Sequence, residues 1–253
     1  MISRLVRAAV FLACACALPV RAADPVDKTL QLRLDAVKSD PNEPRNHFNL
    51  GLEYYNRQMF DQASAAFQQA LKVNKSDKEA HEAVDLDACQ ILGNITLTLK
   101  RNSEAVKWFD QGLKRAPNDP VCLFGRGQAY YLDKKVSAAQ DAFKRFLTDT
   151  AGNPKAAETA PQALVYLGAM ALDKKKYDEA ANFFREVVQK YPKSSKEAAY
   201  NLSLVLLSRG DELVKKNQLD QAAPLNDEAV AADPTNAAAQ RSSALVHFRL
   251  GDK

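Results

Sequence analysis

One two-helix phrase recurs along the chain, and it constrains the fold more tightly than any other feature. Its first half reads Leu50-Gly51 followed by Tyr54, then Leu92-Gly93, then Gly127 followed by Tyr130, then Leu167-Gly168. Its second half reads Phe60-Asp61-Gln62-Ala63 with Phe67 and Ala70, Glu104-Ala105 with Phe109, and Ala139 with Phe143. It returns as Tyr177-Asp178-Glu179-Ala180 with Phe184 and as Leu219-Asp220-Gln221-Ala222 with Ala229, and Pro117, Pro192 and Pro234 close three of the copies. Within each half, apolar residues recur at intervals of three and four, the spacing of a helix that buries one stripe. A two-helix unit cannot bury such a stripe alone, so the copies must stack on one another. The small residues Ala63, Ala105, Ala139, Ala180 and Ala222 stand where paired helices approach closely.

The phrase resembles the tetratricopeptide repeat (TPR) family. Its unit of about 34 residues favours Leu-Gly at positions seven and eight, Tyr at eleven, Ala at twenty, Phe at twenty-four, Ala at twenty-seven and Pro at thirty-two. Aligned on those landmarks, full repeats fall at 44–77, 86–119, 120–153, 161–194 and 203–236, flanked by a capping half repeat at 23–43 and a capping helix at 237–253. The resemblance implies an all-α fold, a right-handed α-solenoid of helix-turn-helix TPR units. The departures are local: Lys75 and Ala151 stand in place of Pro, Gly112 and Phe146 in place of Ala, and Arg209 in place of Leu.

Two steps between repeat starts equal the family length and three carry seven or eight further residues. Two helical turns are about 7.2 residues, so an insertion of that size lengthens a helix without rotating its buried face. Residues 78–85 and 195–202 are therefore expected to extend the helices that follow them, each introduced by a capping-box pair, Ser76 with Glu79 and Ser194 with Glu197. Pro154 and Pro161 bracket the third insertion and favour a separate turn or a kink. Asp24-Pro25 and Asp119-Pro120 join an N-cap to a proline in the first turn. At the far end Gln240, Ser243 and His247 occupy the landmark positions of a first helix and are expected to face the missing second helix as a polar cap.

Arg4 and Arg7 precede an uncharged apolar run from Ala8 to Leu18, and Val20-Arg21-Ala22 offers small or apolar residues at the cleavage positions. That layout is a secretory signal peptide. It predicts export, a bacterial periplasmic location and a soluble mature chain beginning at Ala23 or Asp24. Phe11-Leu12-Ala13 and Ala13-Cys14-Ala15 fit a lipidation box poorly, so no lipid is expected. Removing 1–22 deletes three arginines and no acid, which leaves 32 basic against 31 acidic residues from the original 35 and 31. This balance excludes the clustered positive charge of a general nucleic-acid binder. Cys89 and Cys122 remain, and their register, at positions four and three of consecutive first helices, predicts free, buried thiols.

No phosphate-binding loop, zinc-protease helix or nucleophile elbow is present. His47, His81 and His247 are far apart in register, and His47 sits at a packing position. The chain is expected to be no enzyme and to need no cofactor or metal. The resemblance directs attention instead to the concave face, which the family lines from positions two, five, nine, twelve and thirteen of each first helix. Among those, the expected partner-binding residues are Phe48, Leu52, Tyr55, Asn56, Asn94, Leu97, Phe124, Gln128 and Tyr131. Large apolar groups rimmed by amides mark an interaction surface for a protein or peptide; the alternative is that helix packing buries them. Basic residues gather at the turns inside the repeats: Arg57, Lys100, Arg101, Lys134, Lys135, Lys174, Lys175, Lys176, Lys215 and Lys216. They either touch an anionic surface such as a membrane or simply favour helix C-termini. The function this implies is a noncatalytic envelope scaffold that holds a peptide segment or partner domain during assembly of a larger complex. A self-assembling homo-oligomeric solenoid and an accessory subunit of an envelope enzyme are the alternatives.

Overall fold

The computed structural model describes residues 28–74 and 79–251. The leader, Asp24-Pro25 and the Ser76 capping box lie outside the described residues. The chain divides into two compact units, one ending at Ala156 and one running from Ala157. The described part of the first unit is α1 (Lys28–Ser39), α2 (Pro44–Asn56), α3 (Phe60–Val73), α4 (Glu79–Thr98), α5 (Asn102–Arg115), α6 (Pro120–Leu132) and α7 (Val136–Asp149). The short α8 (Pro154–Ala157) lies at the boundary. The second unit comprises α9 (Ala160–Asp173), α10 (Tyr177–Lys190), a 3-10 turn at Pro192–Ser194, α11 (Ser195–Lys215), α12 (Leu219–Ala232) and α13 (Ala237–Leu250). The described chain is thus all-α, a succession of helix-turn-helix pairs in which each pair packs on the next within its unit.

The recurring Leu-Gly and Phe have one physical cause. In the first repeat, a Cβ added at Gly51 would lie 2.8 Å from the Phe67 ring, so the ring rests directly on the glycine backbone. Phe67 is fully buried there, in a core with Ala63, Ala88, Leu92 and Ile95 that spans α2 to α5. Phe143 meets Gly127 and Phe184 meets Gly168 in the same way. The fifth repeat departs: Asn226 takes the place of the ring and donates to the Ser242 hydroxyl at 3.0 Å, giving α12 and α13 a polar seam.

Each turn inside a repeat uses the same closure. Gln58, Lys100, Lys134, Lys175 and Asn217 are all left-handed, with φ between 57° and 60°. Around Gln58, the Met59 N–H donates to the Tyr54 carbonyl at 3.0 Å and the Gln58 N–H to the Tyr55 carbonyl at 2.9 Å. These bonds satisfy carbonyls that the end of α2 leaves free. The left-handed conformation costs a non-glycine residue ~1 kcal/mol, so five copies are retained against local preference.

Two insertions extend the following helices as expected: α4 begins at Glu79 and α11 at Ser195. The third forms the separate turn α8. Asp119 caps α6, its carboxylate accepting from the Cys122 N–H at 2.8 Å. Ser194 does not form the expected capping box, because it ends a 3-10 turn and its side chain makes no cap bond. The neighbouring Ser195 hydroxyl donates to the Pro192 carbonyl at 2.8 Å instead. Glu197, left without that partner, is pushed above the usual carboxylate range by burial.

The extension of α4 is held by Asp85. Its side chain is buried, pairs with the Arg115 guanidinium at 2.7 Å and accepts from the Asn74 amide at 2.7 Å. The start of α4 is thereby tied to the ends of α3 and α5.

Candidate functional site

In the first unit the first helices of successive repeats touch, α2 with α4 and α4 with α6, while the second helices make no contact of similar extent. The first helices therefore form the inner side of this unit, and the expected binding residues lie along them. Tyr55 is the large apolar side chain among those residues that is exposed, at 38 %, with its ring edge against Phe60 at a centroid distance of 6.0 Å. Asn56 and Asn94 are exposed beside it in register, and Leu97, Gln128 and Tyr131 are half-buried. Phe48 and Leu52 are half-buried and pack on the core; the Phe48 ring meets Phe67 edge-on at 5.3 Å.

Phe124 overturns the expectation of an exposed aromatic. It is buried, with its ring 5.6 Å from Phe143 and 5.5 Å from Phe146. Phe146 stands where the repeat usually carries Ala, and its bulk fills the space through which Phe124 would face solvent. Val121, three residues earlier, is 38 % exposed and takes up the apolar role at that end of α6. Its position in the repeat register was the only sequence signal for it.

The buried groups offer no nucleophile. Cys89 and Cys122 are free and fully buried. Burial pushes the Cys89 thiol up to about 12, with the Asp85 charge adding and Arg115 opposing. Burial and then Asp119 push Cys122 up as well. Both sulfurs stay protonated at neutral pH, the unreactive form. Gly112 explains how Cys122 fits: a methyl there would meet its Sγ, so the sulfur fills the place of the usual alanine side chain. His47 is a packing residue, buried with Nε2 at 2.8 Å from the Pro41 carbonyl. Among the described residues no three His, Cys, Asp or Glu side chains converge to hold a metal, and no helix is long and apolar enough to cross a membrane.

Several cations at the turns are paired. Arg57 meets Glu53 at 2.7 Å, Arg101 meets Asp61 at 3.7 Å, Lys135 meets Asp133 at 3.4 Å and Lys176 meets Glu179 at 3.0 Å. Asp133 is held below the usual carboxylate range first by the Ser103 hydroxyl, at 2.8 Å. Solvated acids interleaved with these cations reduce the field an anionic surface would meet.

In the second unit the polar cap of α13 is turned the other way from the sequence expectation. Ser243 donates to Asp227 of α12 at 2.6 Å, and His247 Nε2 lies 3.0 Å from the same carboxylate. Burial raises Asp227, but these two hydrogen bonds and the His247 charge outweigh it and hold the carboxyl below its ordinary value. The side of α13 that faces solvent carries Leu245 and Phe248, 54 % and 79 % exposed.

Comparison with known proteins follows the same repeats. Two family models described as tetratricopeptide repeat match the chain, one over residues 48–120, 92–157 and 207–253, the other over 162–194. The chain is 22 % identical to the TPR repeat-containing protein MJ1428 of Methanocaldococcus jannaschii over 89 % of its own length. It spans about half the length of that curated relative, 51 %. The structure is similar to the crystal structure of YrrB, a TPR protein with an unusual peptide-binding site, with a TM-score of 0.58 at 16 % identity, covering 85 % of this chain and 99 % of that one. It is also similar to the crystal structure of MamA protein, with a TM-score of 0.57 at 15 % identity, covering 78 % and 95 %. At these identities the likeness is one of fold.

Proposed function

Because this chain belongs to the tetratricopeptide repeat family, we propose that it is a noncatalytic scaffold that holds a peptide segment or partner domain on the inner side of its first unit. The observation that carries this reading is the combination at the surface of α2, α4 and α6. Exposed Tyr55 and Val121 stand among the amides of Asn56, Asn94 and Gln128, above a firmly buried core. An amphipathic aromatic supplies contact area at small entropic cost, and primary amides pair with the backbone of an extended or helical peptide. Phe48, Leu52, Leu97 and Tyr131 form the apolar floor beneath. Phe124 is excluded from the contact set, since its ring is enclosed by Phe143 and Phe146. The YrrB title speaks of a peptide-binding site in that protein, which makes a peptide ligand a reasonable occupant here.

The leader at 1–22 places this scaffold in the cell envelope after export, where it serves the assembly of a larger complex. The test is photo-crosslinking in cells. A benzophenone amino acid at Tyr55, Asn94 or Gln128 is expected to give one discrete adduct in the envelope fraction, while the same group at Gln68 or Lys107, exposed on second helices, gives none. Equal adducts from both sets, or from neither, would overturn the assignment.

A further inference from the structure

Helix α13 presents to solvent the side that earlier first helices pack on a second helix. Counted from the start of each repeat, positions five, eight and twelve are Phe48, Gly51 and Tyr55 in the first. Phe48 and Gly51 meet Phe67, and Tyr55 meets Phe60, all within the same repeat. In the third repeat Phe124 and Gly127 meet Phe143 in the same way. In α13 these positions are Arg241, Ala244 and Phe248, with Leu245 beside them, and all four are exposed. Among the described residues no helix covers them.

The other side of α13 is already committed. Val246 is buried with Leu213, Ala222 and Ala223. Ser242, Ser243 and His247 bond to Asn226 and Asp227. Rolling the helix to bury Phe248 would break those bonds, so the exposure is imposed by the seam on the opposite face. The charge on the open side is also one-signed. α13 contains no Asp or Glu, and Arg241 and Arg249, both exposed, flank the strip of Ala244, Leu245 and Phe248. Arg249 donates to the neutral Asn217 amide oxygen at 3.0 Å. The acids that reach α13, Asp211 and Asp227, accept from Ser242, Ser243 and His247.

We propose that this face of α13 is a docking site for an acidic amphipathic helix of a partner protein, which lies where the second helix of the repeat would lie. Its apolar stripe covers Ala244, Leu245 and Phe248, and its carboxylates meet Arg241 and Arg249. The helix-pairing register and the small Ala244 at the point of contact suit an approach of ~8–10 Å between axes. A membrane surface would be met by a broader apolar face than one Phe and one Leu. The chain's own α1 in a second copy would bring Lys28, Arg33 and Lys38 with a single acid, Asp35, toward the arginines, so like charges oppose it. This site is separate from the surface of α2, α4 and α6.

The experiment uses the full mature chain and two labelled, designed 18-residue helical peptides with the same leucine stripe, one flanked by Glu and one by Lys. Fluorescence anisotropy is expected to show binding of the Glu peptide and none of the Lys peptide. Leu245→Ser with Phe248→Ser should weaken binding at least ~tenfold with an unchanged melting midpoint, since both side chains are exposed. Arg241→Glu with Arg249→Glu should exchange the preference between the peptides, and Tyr55→Ala should leave it intact. The proposal is overturned if neither peptide binds, if both bind equally, or if the double serine variant binds as the parent does. It is equally overturned if that variant instead abolishes binding to phosphatidylglycerol vesicles, or abolishes self-association in sedimentation velocity, while the Glu peptide is ignored.

Discussion

Phe124→Ala is expected to destabilise the first unit by about 3–5 kcal/mol, a fall in melting midpoint of roughly 10 °C. The ring is 8 % exposed and lies against both Phe143 and Phe146 within the 4.5–7 Å range of favourable aromatic pairs. Truncation removes those contacts and leaves a void that the α6–α7 pair cannot close, because Phe143 is pinned over Gly127. Urea denaturation followed by helix signal measures the loss. A midpoint within ~0.5 kcal/mol of the parent would mean that the ring is a surface group after all.

Arg115→Ala should cost about 2–3 kcal/mol, because it strands a buried carboxylate. Losing one member of a fully buried pair typically costs ~3–5 kcal/mol. The Asp85 side chain is 4 % exposed, whereas Arg115 is 45 % exposed, so the pair is partly solvated from one side and the lower figure applies. Asn74 still donates to Asp85 in the variant and recovers part of the loss. Hydrogen exchange should show the first turns of α4 opening ahead of the rest of the unit. Replacing Lys114, which is exposed on the same helix, should leave both stability and exchange unaltered.

The repeat was legible because its cause is repeated. A phenyl ring seated on a glycine leaves the same mark in each copy, and the eye needs only the spacing. What escaped notice were substitutions whose meaning lies in another helix. Gly112 and Phe146 both depart from the small residue of the pattern, and each is matched across a helix contact. The Cys122 sulfur occupies the space that Gly112 vacates, and Phe124 is covered by the ring that Phe146 adds. A position on the inner side is therefore exposed or buried according to its neighbour's volume, which register alone does not contain.

The same limit applies at α13. Ser243 and His247 look like a polar cap toward solvent until Asp227 on α12 is seen to draw them inward. The left-handed turns were hidden for a different reason. Their residues are Gln, three Lys and Asn, and only the last is a type that tolerates the conformation well, so composition pointed to charge where the backbone had a constraint. The Ser194 capping box failed because the proline two residues before it starts a 3-10 turn that places the serine outside cap geometry.

The claim that this chain binds a partner through the inner surface of its first unit rests on separating contact from packing, and Tyr55→Ala performs that separation. The ring is 38 % exposed, so its removal should leave the melting midpoint close to that of the parent. Affinity for the crosslinked partner, measured by calorimetry with purified components, should fall by about 2 kcal/mol, near thirtyfold. Parent-like affinity together with a parent-like midpoint would contradict the account, as would a midpoint lowered as far as that of Phe124→Ala.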